Sequence, residues 1–159
     1  MRTAQWKMDS MVGPIYLVAS EKGLQEISWR KKSNPFAKTL SGSGSEVKIL
    51  RKAVDQLNSY FAGERTKFDL PVDISGTPFQ MQVWNQLKKI PYGKTHSYSD
   101  VALAIKNGKA VRAVGTANGR NPLSIIVPCH RVIAADGTLG GYAGGLDIKT
   151  KLLNLEKSV

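Results

Sequence analysis

Three consecutive residues carry the densest chemistry in this chain. Cys129, His130 and Arg131 follow Pro128 and interrupt an apolar, β-prone run from Ile125 to Ile133. Cys129 is the only cysteine, so neither an internal disulfide nor a Cys-rich zinc site is open to the chain. A lone cysteine is often a small buried hydrophobe. Beside a His and an Arg its pKa falls and its thiolate fraction rises, which makes it a candidate nucleophile. On the residues alone both readings stand. Adjacent side chains on a regular strand point to opposite faces. Either Pro128 bends the chain here, or a water joins the Cys129 sulfur to the His130 ring.

The elements that must position these residues are legible in outline. Gly13 to Ala19 is a short β-prone run, Glu21-Lys22-Gly23 a turn, and Leu24 to Trp29 alternates apolar and polar as a half-buried strand does. A loop rich in Ser, Gly and Pro runs from Ser33 to Ser45. Val47, Leu50, Val54, Leu57 and Phe61 then mark a helix face that closes at Gly63, and Phe68 to Asp73 is extended. Ser75-Gly76-Thr77-Pro78 reads as a boundary. Beyond it Thr77 caps a helix with Pro78 in its first turn and an apolar face of Phe79, Val83, Trp84, Leu87 and Ile90. Pro91-Tyr92-Gly93 stops it. Ser97 with Asp100 makes a capping box for the next helix, which Asn107-Gly108 ends, and a third helix begins near Lys109. Two short helices joined by a tight turn fit a helix-turn-helix or an ordinary helical hairpin equally well. Ala110, Ala113, Gly115 and Ala117 make the third helix thin-sided, which suits entry into a DNA groove or close packing on another helix.

Length and charge narrow the partners. The chain has 159 residues, 42% hydrophobic and 22% charged, which excludes global disorder and allows a core without staples. The net charge is +11, an excess that favours a polyanion, nucleic acid before an anionic membrane. Met1 to Ser75 carries 12 basic and 8 acidic residues, Gly76 to Val159 carries 11 and 4. Between Gly76 and Ala135 the only acid is Asp100, against Lys88, Lys89, Lys94, Lys106, Lys109, Arg112, Arg120 and Arg131. That stretch is the one expected to face a polyanion. The N-terminus lacks the apolar core of a secretory signal and no apolar run approaches bilayer length, so the expected location is the cytoplasm, away from membranes.

Pro128-Cys129-His130-Arg131, with Gly119-Arg120-Asn121-Pro122 before it and Gly140-Gly141-Tyr142-Ala143-Gly144-Gly145-Leu146 after it, resembles the O6-alkylguanine-DNA alkyltransferases. The resemblance runs from about Thr77 to Glu156. It implies an α+β fold: a small N-terminal α/β domain of the RNase H-like kind (1–75), then a mainly helical, winged helix-turn-helix-like domain (76–159). It implies direct-reversal repair of double-stranded DNA containing alkylated guanine, and O4-alkylthymine, by one irreversible transfer of the alkyl group to Cys129. The same resemblance implies the site. Cys129 is the nucleophile, His130 its base through water, Glu156 the orienter of His130 and Tyr98 the proton donor to guanine N3. Lys149 assists the thiolate or the Tyr98 proton. Asn121 holds the turn that presents Cys129. Arg112 fills the place of the flipped base, Ala110 and Ala113 let its helix sink into the minor groove, and Arg120 contacts DNA. Val132, Ser124, Tyr142, Ala143 and Gly144 line the base pocket, with backbone groups of Cys129, Val132 and Ala143 reading the guanine edge and the small Ser124 leaving room for larger alkyl groups. No cofactor is implied and a monomer is expected. Some relatives bind zinc in the first domain through Cys and His, and with no Cys before Cys129 that site cannot exist here in that form.

Other classes remain. A non-catalytic alkyltransferase-like binding protein replaces the reactive cysteine, whereas Cys129 is kept. A helix-turn-helix regulator gives no reason to combine Tyr98, Cys129, His130 and Glu156. A cysteine hydrolase turns over, because water releases its acyl group.

Overall fold

The structure, a computed structural model, describes residues 1–157; the last two positions of the expected second domain lie outside the described residues. The chain divides into two units, Met1–Ile74 and Ser75–Val159.

The first unit is a three-stranded antiparallel sheet with one helix. Strands β1 (Thr3–Met8), β2 (Ile15–Ser20) and β3 (Leu24–Ser28) lie in that order. Sequence periodicity misses β1, because the polar Gln5 is fully buried in it beside Ala4. Gln5 spends its side chain on the following loop, donating from Nε2 to the carbonyls of Lys32 and Asn34 and accepting from the Lys32 N–H. Helix α1 (Ser45–Phe61) buries Leu50, Ala53, Leu57 and Tyr60. Its buried stripe is thus turned from the expected one: Val47, Val54 and Phe61 flank it, half-exposed. Gln56 anchors the extended tail by exchanging two hydrogen bonds with the Asp69 backbone, both 2.9 Å.

The second unit is helical. Helix α2 (Pro78–Leu87) starts at a complete Thr77/Gln80 capping box and buries Val83, Trp84 and Leu87. Each such side chain contributes about 1.5–3 kcal/mol, as an upper bound. The Trp84 indole N–H donates to the Ala117 carbonyl at 2.9 Å, fixing α2 on helix α4 (Val111–Gly119). Helix α3 (Tyr98–Ala104) opens on the Ser97/Asp100 capping box, with both reciprocal bonds formed. It stops earlier than Asn107-Gly108. Lys106 takes the left-handed conformation at φ 60°, its N–H bonds Leu103 and the Asn107 N–H reaches back to Ala102. That is a Schellman close with a lysine where glycine is usual. The stretch around Cys129 is not a strand. The described residues after Pro128 form a single 3-10 turn, Cys129–Arg131, followed by the two-residue strand β5 (Val132–Ile133). β5 pairs in parallel with strand β4 (His96–Ser97), immediately before Tyr98. Helix α5 (Leu146–Leu155) ends the unit.

Candidate active site

Cys129 sits in its 3-10 turn with its N–H on the Val127 carbonyl and the Arg131 N–H on the Pro128 carbonyl. Asn121 braces the approach. Its Nδ2 donates to Val127 at 2.7 Å and its Oδ1 accepts from the Leu123 N–H at 3.0 Å. Cys129 as a residue is 4% exposed. It opens into a cavity of about 230 Å³ lined by Tyr98, Gly115, Asn118, Gly119, Cys129, Gly141, Tyr142 and Ala143. That is below the roughly 300–1,000 Å³ of sites for drug-sized ligands.

The electrostatics at the sulfur differ from the sequence expectation. Adjacency to His130 and Arg131 pointed to a lowered thiol pKa, but burial pushes the Cys129 thiol up. The Asn121 amide, the Lys149 charge and the Tyr142 hydroxyl pull it partly back. Arg131 gives its charge elsewhere: Nε and Nη2 grip the two Glu156 oxygens at 2.7 and 3.0 Å, and Nη1 donates to the Ile90 carbonyl at 2.8 Å. It is buried and belongs to the site, not to the surface that faces a polyanion. His130 is fully buried, with Nε2 2.7 Å from Glu156 Oε2. Burial holds its protonation below the ordinary histidine value; Glu156 raises it, and Arg131 and Lys149 lower it. His130 is therefore a neutral imidazole at neutral pH, a base rather than a cation. Its Nδ1 is buried and has no hydrogen-bond partner among the described residues.

Tyr98 reaches the cavity from the first position of α3. Burial and the nearby Cys129 raise its phenol, while a hydrogen bond from the Gly141 backbone lowers it. Gly140 makes room for the ring: its φ is +71°, and a Cβ there would lie 2.9 Å from the Tyr98 hydroxyl. Lys149 is fully buried on α5, with all its donors on carbonyls: Val132 at 2.7 Å, Gly141 at 3.1 Å, and Leu139. Burial brings its pKa down to about 8, countered by Cys129. It stays mostly charged at neutral pH while tying the 139–141 loop to α5.

The structure thus brings Tyr98, Asn121, Cys129, His130, Tyr142, Ala143, Lys149 and Glu156 into one region of the second unit. Val132 and Ser124 are buried and Gly144 half-buried, and none of the three is in the cavity lining. Arg112, Ala113 and Arg120 are exposed along α4 and its end, with Ala110 half-buried at the helix cap. Sequence reasoning missed Asn118, which is 4% exposed, lines the cavity and donates to the Cys129 carbonyl at 3.4 Å. It missed the site roles of Gly140 and Arg131 as well. A Gly-Gly pair and an Arg beside a Cys-His are signals only once the turn that folds them inward is known. Among the described residues no group of His, Cys, Asp and Glu has the makings of a metal site, and no helix is long and apolar enough to cross a membrane.

Known proteins resemble this chain in sequence and in fold. Residues 78–158 match the family model for the DNA binding domain of 6-O-methylguanine DNA methyltransferase, and residues 6–74 match the model for its ribonuclease-like domain. The methylated-DNA--protein-cysteine methyltransferase of Methanosarcina acetivorans is 51% identical over 150 residues, 94% of this chain and 96% of the relative. The protein of that name from Mycobacterium tuberculosis is 47% identical, over 95% of this chain and 90% of its own length. In three dimensions the chain is similar to the M. tuberculosis OGT solved in complex with DNA, with a TM-score of 0.86 and 44% identity over 98% of this chain and 93% of that one. A methyltransferase from Pyrococcus kodakaraensis, 22% identical, shares the fold with a TM-score of 0.57. Both family models, end to end, and relatives near half identity place this chain in the 6-O-methylguanine DNA methyltransferase family.

Proposed function

We propose that this chain repairs O6-alkylguanine in duplex DNA, and O4-alkylthymine, by a single transfer of the alkyl group to Cys129. The observation that carries this reading is the buried thiol opening into a cavity that it shares with Tyr98, backed by the His130–Glu156 pair. DNA is the partner; the similar OGT of M. tuberculosis was solved in complex with DNA. The exposed Arg112 takes the place of the extruded base, and Arg120 contacts the duplex. Extrusion costs a few kcal/mol of stacking and pairing.

In the cavity the Cys129 proton passes to His130 Nδ1 through a water as the sulfur attacks the alkyl carbon. The S–C bond forms while the C–O6 bond breaks, and the electron pair stays on the purine. Tyr98 gives its proton to N3, so guanine leaves neutral. The Tyr98 phenolate then recovers the proton held on His130. The thioether is stable to water, so the protein acts once. Lys149 holds the cavity loop and adds positive potential near the sulfur, and Asn121 fixes the turn that carries it. No cofactor takes part, the chain acts as a monomer, and a reducing cytoplasm suits its lone thiol.

Intact-protein mass spectrometry after incubation with O6-methylguanine DNA tests this. The expected result is the gain of one methyl group on Cys129, stoichiometric with guanine restored. Multiple turnovers, or repair without a change in protein mass, would overturn it.

A further inference from the structure

Glu156 is one carboxylate shared by two side chains, His130 and Arg131. Oε2 accepts from His130 Nε2 at 2.7 Å and from Arg131 Nη2 at 3.0 Å, and Oε1 accepts from Arg131 Nε at 2.7 Å. The fork is fixed from behind. Arg131 is 6% exposed, Nη1 is tied to the Ile90 carbonyl, and the guanidinium lies 5.7 Å from the Tyr92 ring centre. Planar two-point pairing of this kind sets orientation as well as charge, and a lysine does not reproduce it.

Two consequences follow for His130. A carboxylate only accepts, so the ring keeps its proton on Nε2 and presents Nδ1 as a bare acceptor. A buried carboxylate also draws a second proton onto the imidazole; the guanidinium opposes that pull, adding to the burial that already disfavours the charged ring. The charged and titratable groups around His130 are Glu156, Arg131, Lys149 and Cys129, with Tyr92 facing Glu156 and Arg131. Lys149 is held by its three carbonyls. Arg131 contacts the Glu156 carboxylate directly.

We propose that Arg131 is a positioning residue for the transfer: by holding both Glu156 oxygens it fixes the His130 tautomer and keeps the ring an unprotonated base at neutral pH. This rests on the reading of Cys129 as nucleophile and His130 as its base.

The chain has two histidines, so imidazole nitrogen NMR resolves His130 with His96 as an internal reference. The titration runs from about pH 8 to about pH 5, the window in which histidine changes charge. In the unmodified protein His130 stays neutral well below the ordinary value of about 6.5. In Arg131→Gln its midpoint rises by about one pH unit or more, a tenfold gain in proton affinity. The acid limb of the single-turnover transfer rate moves up by the same amount. Arg131→Lys, which keeps the cation but not the two-point grip, reverses most of that rise. Imidazolium at His130 near neutral pH in the unmodified protein overturns the proposal, even if no variant folds. So does a His130 titration unchanged in Arg131→Gln, including one accompanied by a rate loss uniform across pH, which a purely structural role produces. If the NMR shift occurs while Cys129 never gains an alkyl group, the functional reading fails and the role of Arg131 in proton affinity stands.

Discussion

At Cys129 the protein holds a thiol, not a free thiolate. Burial raises its pKa, and the Asn121, Lys149 and Tyr142 contributions only partly oppose this. The sulfur is therefore protonated at neutral pH, and reactivity depends on a base that takes the proton during attack. A simple alkylator does not depend on binding in the cavity. Iodoacetamide is thus expected to label Cys129 slowly at neutral pH and faster as the pH rises through the alkaline range, read by intact mass. Fast labelling that is flat across this range would contradict a raised thiol. Cys129→Ser is expected to abolish alkyl transfer while leaving DNA affinity nearly unchanged, because only a buried atom changes. Transfer measured on alkylated oligonucleotide and affinity measured on the same duplex separate the two effects. Residue types left Cys129 open between nucleophile and buried hydrophobe, and only the family resemblance paired His130 with Glu156, which the structure puts 2.7 Å apart. The role of Arg131 was not legible in the sequence. Sequence adjacency placed it among the basic residues facing a polyanion, and only the 3-10 turn at 129–131 carries it inward to Glu156.

The elements do their positioning through very short structures. The Thr77 and Ser97 caps were legible, because a capping box is a local pattern with a local cause. The β4–β5 ladder spans two residues on each side, too few for any alternation to register, yet it sets the start of α3 and hence Tyr98. The α1 face was displaced because Gln56 and Tyr60 are buried while Val54 and Phe61 are half-exposed, a tertiary choice that periodicity does not encode. Two predictions belong here. Gly140→Ala strains a φ of +71° and puts a methyl 2.9 Å from the Tyr98 hydroxyl. It is expected to slow transfer with both duplex and free O6-benzylguanine, while DNA affinity is retained. Equal rates in the variant and the unmodified protein would remove Gly140 from the site. Arg112 is exposed in the first turn of α4. Arg112→Ala is expected to slow repair of duplex DNA and spare the free base, which needs no extrusion. A loss of about 1.4 kcal/mol in the transition state gives a tenfold slower duplex reaction. Equal losses on both substrates would mark Arg112 as a structural residue.

The molecule as a whole carries +11, and the fold decides how much of that faces outward in the second unit. Of the eight basic residues between Gly76 and Ala135, Arg131 is buried and committed to Glu156. The other seven, Lys88, Lys89, Lys94, Lys106, Lys109, Arg112 and Arg120, are exposed. The single acid in that stretch, Asp100, spends its carboxylate on the Ser97 N–H at the start of α3, so its charge is partly used by the helix end it caps. Lesions arise at any guanine, so contacts to flanking bases would restrict the protein for no gain. Affinity should come from phosphates, and phosphate contacts release counterions. Each one contributes a slope of about 0.9 to the fall of log K with log salt. Seven exposed cations therefore set a ceiling of roughly 6 on that slope if every one meets a phosphate. A helix-turn-helix seen from one side engages fewer, so a slope of about 2 to 5 is expected, with little change between duplexes of different sequence. A fluorescence-anisotropy titration of the Cys129→Ser protein on an alkylated duplex, repeated from low to physiological salt, reads this without consuming the protein. A flat line would mean that the basic surface does not carry binding. A slope well above the ceiling would mean that cations outside this stretch, Lys151 and Lys157 of the second unit or those of the first unit, also meet the DNA. Lys88→Ala and Lys109→Ala each then lower the slope by about 1 only if that residue touches a phosphate, which turns the charge count into a map of the contacts.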